Sequence, residues 1–314
     1  MKTIIHSRAW IPGLILLCLS VSSWAAEPTG GEALAVFSSI PPQGYVLERI
    51  GGQRLSVTVL LPQGRDPHTF EPTPKQLTEV SKAAVFFTIG LPFEKVIVEK
   101  LSNLSDRLRF VDMAEGINRI QISDDEHEHK HEHGESCDHS PDGTDPHIWL
   151  SPVLLEVLAT NTARALEQMD AVHSDEYKMN LAHFLAEIRA THLRIQGILE
   201  PYRGRTFFVF HPAFGYFGQA YGLKQQAVEI RGREPAPKQL ALLIKKAKAE
   251  NVRIILVQPQ FDGRAAQTIA SAIGGVVAPM DPLEKNLLQS FENMAALLEK
   301  AFSADTKQRT PSEQ

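Results

Sequence analysis

Cysteine is almost missing from this chain. Among 314 residues there are two, Cys18 and Cys137, and Cys18 lies inside an apolar run near the start. Without Cys18, Cys137 stands alone, so a disulfide framework is excluded and stability must come from packed cores. Long apolar runs are missing as well. The stretch from Ile11 to Leu19 falls short of the roughly 20 residues that a membrane-spanning helix requires, and no later segment comes close. No basic patch interleaved with aromatic residues appears, which excludes a nucleic-acid partner. No HExxH element appears either, so the commonest sequence sign of a zinc hydrolase is lacking.

The chain opens MKTIIHSRAWIPGLILLCLSVSSWAAEP. Two early cations, Lys2 and Arg8, precede the apolar run, and small residues surround Ser23-Trp24-Ala25. This is the layout of a secretory signal spanning residues 1–25, with cleavage after Ala25. The expectation is an exported, soluble protein. Cys18 sits behind Leu16 and Leu17, where a lipid-modified cysteine would be preceded by small residues, so a lipid anchor is not expected. Residues 26–314 suffice for two cores of ordinary size.

The formal charge is −5 and becomes −7 once Lys2 and Arg8 are removed. Residues 124–145 hold nine acids against Lys130 alone, a balance of −8, which leaves +1 for the remainder. The acidity therefore belongs to one segment. That segment has no hydrophobic period and carries Gly134, Pro141 and Gly143, so it cannot bury enough apolar surface to order itself.

Elsewhere short apolar runs alternate with helical patterns. In the first half, 33–39, 56–61, 84–90 and 109–113 read as buried strands, with helices at 43–50, 74–83 and 93–103. After the acidic segment, Ser151-Pro152 starts a helix reaching about Met169. A second helix runs from Asp175 to about Leu199, some 25 residues or about 37 Å, and reads as a spine. The alternation then resumes with strands 207–211, 225–230, 253–259 and 276–281 and helices 213–221, 237–250, 264–273 and 287–302. The fold class is α/β: two lobes of four strands and four helices, each with a parallel sheet, joined by the long helix. The divisions are an N-terminal lobe over 26–172, the linking helix region over 173–202, a C-terminal lobe over 203–304 and a loose tail over 305–314.

Four residues share one placement in this scheme. His68 in RDPHTFEPTP follows a strand; His147 in TDPHIWLSP precedes a helix; His211 closes FFVFH; Asp281 closes VVAPMD. In open parallel sheets, ligands collect beyond the carboxyl ends of the strands. The four side chains should therefore meet in the cleft between the lobes. Taken singly, each has a plainer reading, such as a hydrogen-bonded histidine or an aspartate in a turn. Taken together, three neutral imidazoles and one carboxylate form a four-donor set suited to zinc, whereas manganese would prefer oxygen in place of one imidazole.

The stretches DPHTFEPTP, DPHIWLSP, FHPAFGYFGQAYGL and MDPL resemble the metal-binding solute-binding proteins that serve zinc and manganese ABC importers, over nearly all of the chain after the signal. The resemblance implies two α/β lobes joined by a rigid helix with the metal between them. It assigns ligand roles to His68, His147, His211 and Asp281. It further implies a periplasmic, monomeric protein that hands its metal to a membrane permease with its cytoplasmic ATPase. Manganese members often carry glutamate where His211 stands, which favours Zn2+ over Mn2+. Some zinc members leave a water in place of Asp281. Zinc members also often carry a His-rich acidic insertion at this point of the chain. His127, His129, His131, His133 and His139 would then form a secondary, weaker metal site, with Cys137 read equally as a soft ligand assisting it or as an incidental thiol.

Rival readings are a zinc-dependent hydrolase, a manganese-binding member of the same family, and an adhesin or metal store. A fourth protein ligand closes the position a catalytic zinc keeps for water, so the expectation is a binder and not an enzyme. His173, His183 and His192 read as solvent-facing, Phe207, Phe208, Phe214 and Phe217 as core, and Glu234 as an exposed loop residue.

Overall fold

The computed structural model describes residues 33–103, 107–121, 143–230 and 232–309. The signal segment 1–25, Cys18, Cys137 and the five loop histidines lie outside the described residues.

The first sheet is built from β1 (Leu34–Ser38), β2 (Leu55–Val59), β3 (Val85–Thr88) and β4 (Arg109–Asp112), all parallel in the order β2-β1-β3-β4. Parallel neighbours need a crossover, and helices supply it: α1 (Pro41–Gly51), α2 (Pro74–Val80) and α3 (Pro92–Leu101). Each of these helices opens on proline, whose fixed φ and missing N–H suit the first turn. The residue before each is extended, as the residue before proline prefers to be. Thr73 and Gln76 close a reciprocal cap at the start of α2, with Gln76 N donating to Thr73 Oγ1 at 3.3 Å and Thr73 N to Gln76 Oε1 at 3.0 Å.

α4 (Pro152–Met169) starts at Ser151, whose hydroxyl accepts from Leu154 N. α5 (Ser174–Leu199) is the long helix, 26 residues or about 39 Å. Its buried residues Tyr177, Phe184, Ile188, Thr191, Ile195 and Leu199 recur every three, four or seven positions and form one stripe. That stripe packs on α1 and α4 of the first lobe.

The second lobe comprises β5 (Thr206–Val209), α6 (Gly215–Tyr221), β6 (Lys224–Ala227), α7 (Pro237–Ala249), β7 (Ile254–Val257), α8 (Arg264–Ile273), β8 (Val276–Pro279) and α9 (Leu287–Arg309). Its sheet is again parallel, ordered β6-β5-β7-β8, so the two lobes repeat one topology. α9 also packs on α5, which thus touches both lobes. One apolar cluster runs through the first lobe, along α5 and into the second, taking in Trp149, Phe214, Phe217, Met280 and Phe291. A smaller one lies under α7 and α8, around Phe208, Val228, Ile255 and Ile269. No helix among the described residues is long and apolar enough to cross a membrane.

The expected element order and the two parallel sheets are observed, and several boundaries move. The strands are shorter than the apolar runs, so His211 and Asp281 stand two residues beyond β5 and β8 instead of closing them. α9 continues to Arg309, into the stretch read as a loose tail. Thr144 and Asp145, read as the end of the acidic segment, are buried and paired: Gln121 and Thr144 form an antiparallel bridge, and Asp145 N donates to Ile120 O at 2.9 Å. Phe207, Phe208, Phe214 and Phe217 are core, and Glu234 and His183 are exposed. His173 and His192 are half-buried instead of solvent-facing, against Asp170 and the Tyr221 hydroxyl.

Candidate metal centre

His68 sits in the loop from β2 to α2, His147 in the approach to α4, and His211 in the loop from β5 to α6. All three loops leave the carboxyl ends of strands, so parallel topology delivers three imidazoles to one place. Their ring centroids lie 5.0–5.4 Å apart, and one donor atom from each falls within 4.8 Å of the others. It is the one such group of three His, Cys, Asp or Glu among the described residues. His147 and His211 are each 4% exposed, while His68 is half-buried.

The rings are held from behind. Asp145 Oδ1 accepts from His147 Nδ1 at 2.7 Å and from His147 N at 2.9 Å. Glu229 Oε1 accepts from His211 Nδ1 at 2.8 Å. Gln258 grips the His211 backbone at both ends, with Oε1 taking its N–H at 3.0 Å and Nε2 donating to its carbonyl at 2.6 Å. Phe261 stacks on the His211 ring, centroids 5.0 Å apart and planes 21° apart. Asp66 Oδ1 accepts from His68 N at 2.9 Å, so each Asp-Pro-His stretch forms an Asx turn around its histidine.

With Nδ1 donating to a carboxylate, the lone pair of each ring lies on Nε2. The Nε2 atoms of His147 and His211 face each other at 3.4 Å. Zinc–nitrogen bonds of about 2.0–2.1 Å at the tetrahedral angle place neighbouring donors about 3.3–3.4 Å apart, which is the separation observed.

Asp281 does not belong to the converging group. It is half-buried, and its Oδ1 accepts from Gln260 Nε2 and from Leu283 N, both at 2.9 Å, as an aspartate closing a turn. The neighbouring Pro282 carbonyl accepts from Trp149 Nε1 at 2.7 Å, and the Trp149 ring lies 5.2 Å from that of His147. The turn after β8 is therefore tied to the segment that carries His147.

Sequence reading passed over Asp145, Glu229, Gln258, Trp149 and Phe261. Asp145 looked like one more acid of the charged segment. Glu229 carried a usable signal, since an acid within the apolar context QQAVEI is an acid headed for burial and in need of a partner. Gln258 carried none, because a glutamine after a strand is ordinary.

Two parallel α/β lobes with imidazoles gathered at their strand ends define a cleft-type binding protein for a metal cation. The family described as zinc-uptake complex component A, periplasmic, matches residues 36–301. The high-affinity zinc uptake system protein ZnuA of Bacillus subtilis (strain 168) is 29% identical over 86% of this chain and 85% of its own length. The manganese-binding lipoprotein MntA of Halalkalibacterium halodurans is 26% identical over 84% and 85%. A crystal structure of a ZnuA superposes with a TM-score of 0.77 at 36% identity, covering 86% of this chain and 99% of that one. The chain belongs to the zinc-uptake complex component A family, the periplasmic solute-binding components of metal ABC importers.

Proposed function

We propose that this protein captures Zn2+ in the periplasm and delivers it to the membrane permease of a zinc ABC importer, as a monomer. The observation that carries the reading is the 3.4 Å approach of the His147 and His211 Nε2 atoms, each ring backed by a carboxylate. His68, His147 and His211 supply three nitrogen donors. The fourth position goes to Asp281 or to a water, and Asp281 is the weakest candidate, because it stands outside the group of three and Gln260 and Leu283 already engage its Oδ1. An all-nitrogen trio favours zinc over manganese, which prefers oxygen. The zinc is cargo, and the chain performs no hydrolysis: Asp145 and Glu229 are committed to the ligand rings, and neither is placed as a general base. The histidines at 127, 129, 131, 133 and 139 form weaker sites that exchange zinc with the cleft.

The test is the metal content and stoichiometry of untagged protein, with titration of variants. One tight zinc per chain is expected, together with weaker sites that disappear when residues 124–139 are deleted. His211→Ala should lower the tight affinity far more than His183→Ala, since His183 is exposed on α5. Equal affinities would remove His211 from the site. Retention of manganese over zinc by the purified protein would favour the manganese reading.

A further inference from the structure

We propose that Asp145 and Glu229 are positioning residues that set the tautomers of His147 and His211, so that the cleft presents two lone pairs before any metal arrives. The inference rests on the reading of the cleft as a zinc site and goes one layer behind it.

A neutral imidazole carries one N–H and one lone pair, and only the lone-pair nitrogen can ligate. A histidine with no fixed partner populates both tautomers and several ring rotations, and many of those states point a proton at the metal. A carboxylate on Nδ1 removes the ambiguity, because it accepts and cannot donate, so the proton must reside on Nδ1 and the lone pair on Nε2. Both rings have this partner, at 2.7 Å and 2.8 Å.

The supports for the two carboxylates come from different parts of the chain. Asp145 is local to its histidine, and its backbone is fastened from the other lobe by the Tyr216 hydroxyl, which donates to Asp145 O at 2.8 Å. Gly215 leaves the room: a Cβ there would stand 2.9 Å from Asp145 Oδ2, so a side chain at this position would press on the carboxylate. Glu229 reaches His211 across 18 residues of sequence, from the segment after β6. With Gln258 on the backbone and Phe261 on the ring face, His211 is fixed in position, plane and tautomer.

Burying a carboxylate is strongly unfavourable unless it is well bonded. A simple structural pairing and a positioning role share that requirement and differ in the effect of its loss. A positioning acid whose removal frees the ring should weaken zinc binding by about 10–100-fold and blur the tautomer, even where the fold survives. A carboxylate in place of a carbonyl also makes the imidazole a better donor and brings negative charge next to the cation.

The experiment compares Glu229→Leu with Glu229→Gln in the full chain. Zinc affinity is measured by competition with a chelator, and the His211 tautomer by long-range 1H–15N spectra of the metal-free protein. Glutamine keeps an acceptor toward Nδ1 and loses the charge. Glu229→Leu should show mixed His211 tautomers and an affinity loss of about 10–100-fold, and Glu229→Gln a single Nδ1–H tautomer and a smaller loss. A single Nδ1–H tautomer and unchanged affinity in Glu229→Leu would overturn the proposal. Should the leucine variant fail to fold, Asp145→Asn against Asp145→Ala makes the same comparison at His147. The tautomer is read without metal. Weak zinc binding by the unaltered chain would thus defeat the cargo reading, while the 15N spectra still decide this one.

Discussion

Glu94 shows how one residue ties local structure to pH. It is the third residue of α3, and its carboxyl reaches back to the backbone N–H groups that precede the helix. It accepts from Ile89 N, Gly90 N and Leu91 N at 2.6–3.2 Å and from the Ser39 hydroxyl. Burial pushes the carboxyl up to about 7 and outweighs the lowering by Ser39 and the backbone donors. A carboxyl whose folded value lies above its unfolded value holds its proton better when folded. Its contribution is therefore fully present below pH 4.5 and is lost as pH rises to about 7. Denaturant unfolding of the metal-free protein with and without Glu94→Gln should show this. Between those pH values the unaltered chain should lose about 3 kcal/mol relative to the variant. The difference cancels the titration of the histidines, and a pH-independent difference would refute it.

Among the elements, α6 bears most directly on the site although it is only 7 residues long. It starts four residues after His211, and its Tyr216 hydroxyl accepts from Ile120 N at 3.1 Å while donating to Asp145 O. One hydroxyl thus holds Ile120 and Asp145, on either side of residues 122–142, and links the His211 side of the cleft to the His147 side. Tyr216→Phe keeps the ring in the core and strands two backbone groups, a loss of about 1–3 kcal/mol. The variant should melt lower and release zinc faster than the unaltered protein, as followed by calorimetry and by stopped-flow transfer to a chelator. A lower melting temperature with an unchanged release rate would confine Tyr216 to stability.

At the scale of the whole molecule, the continuous apolar cluster through α5 and the Trp149–Pro282 link join the lobes by packing, not by a wet hinge. Loading then depends on how zinc reaches a cleft that is already built. Gln121 and Thr144 form a bridge beside Asp145 and His147, which pairs the two ends of the acidic histidine segment at a point close in sequence to His147 of the three-histidine group. On the function proposed above, the segment's charge and weak ligands would raise the local concentration of divalent cations at that point. Deletion of residues 124–139 should leave the tight affinity nearly unchanged and slow loading when zinc is scarce and buffered. Identical stopped-flow rates for the two forms would reduce the segment to a store or a solubilising stretch.

Apolar runs of strand length alternating with helix periods determined the two parallel sheets, because burial on both faces leaves a period that any such strand must show. The same reading placed His68, His147 and His211 together, since strand ends in a parallel sheet share one edge. Only the tertiary structure decided what stands behind these histidines. Glu229 and Gln258 reach His211 from segments 18 and 47 residues away, and no local pattern encodes which strand end a buried polar side chain will face. Asp281 illustrates the converse. Its place after a strand was legible, but the distance from that place to three imidazoles depends on how a turn packs, and here Gln260 and Leu283 engage it. Periodicity records which face is buried; the partner across a cleft is set by the packing of elements far apart in the chain.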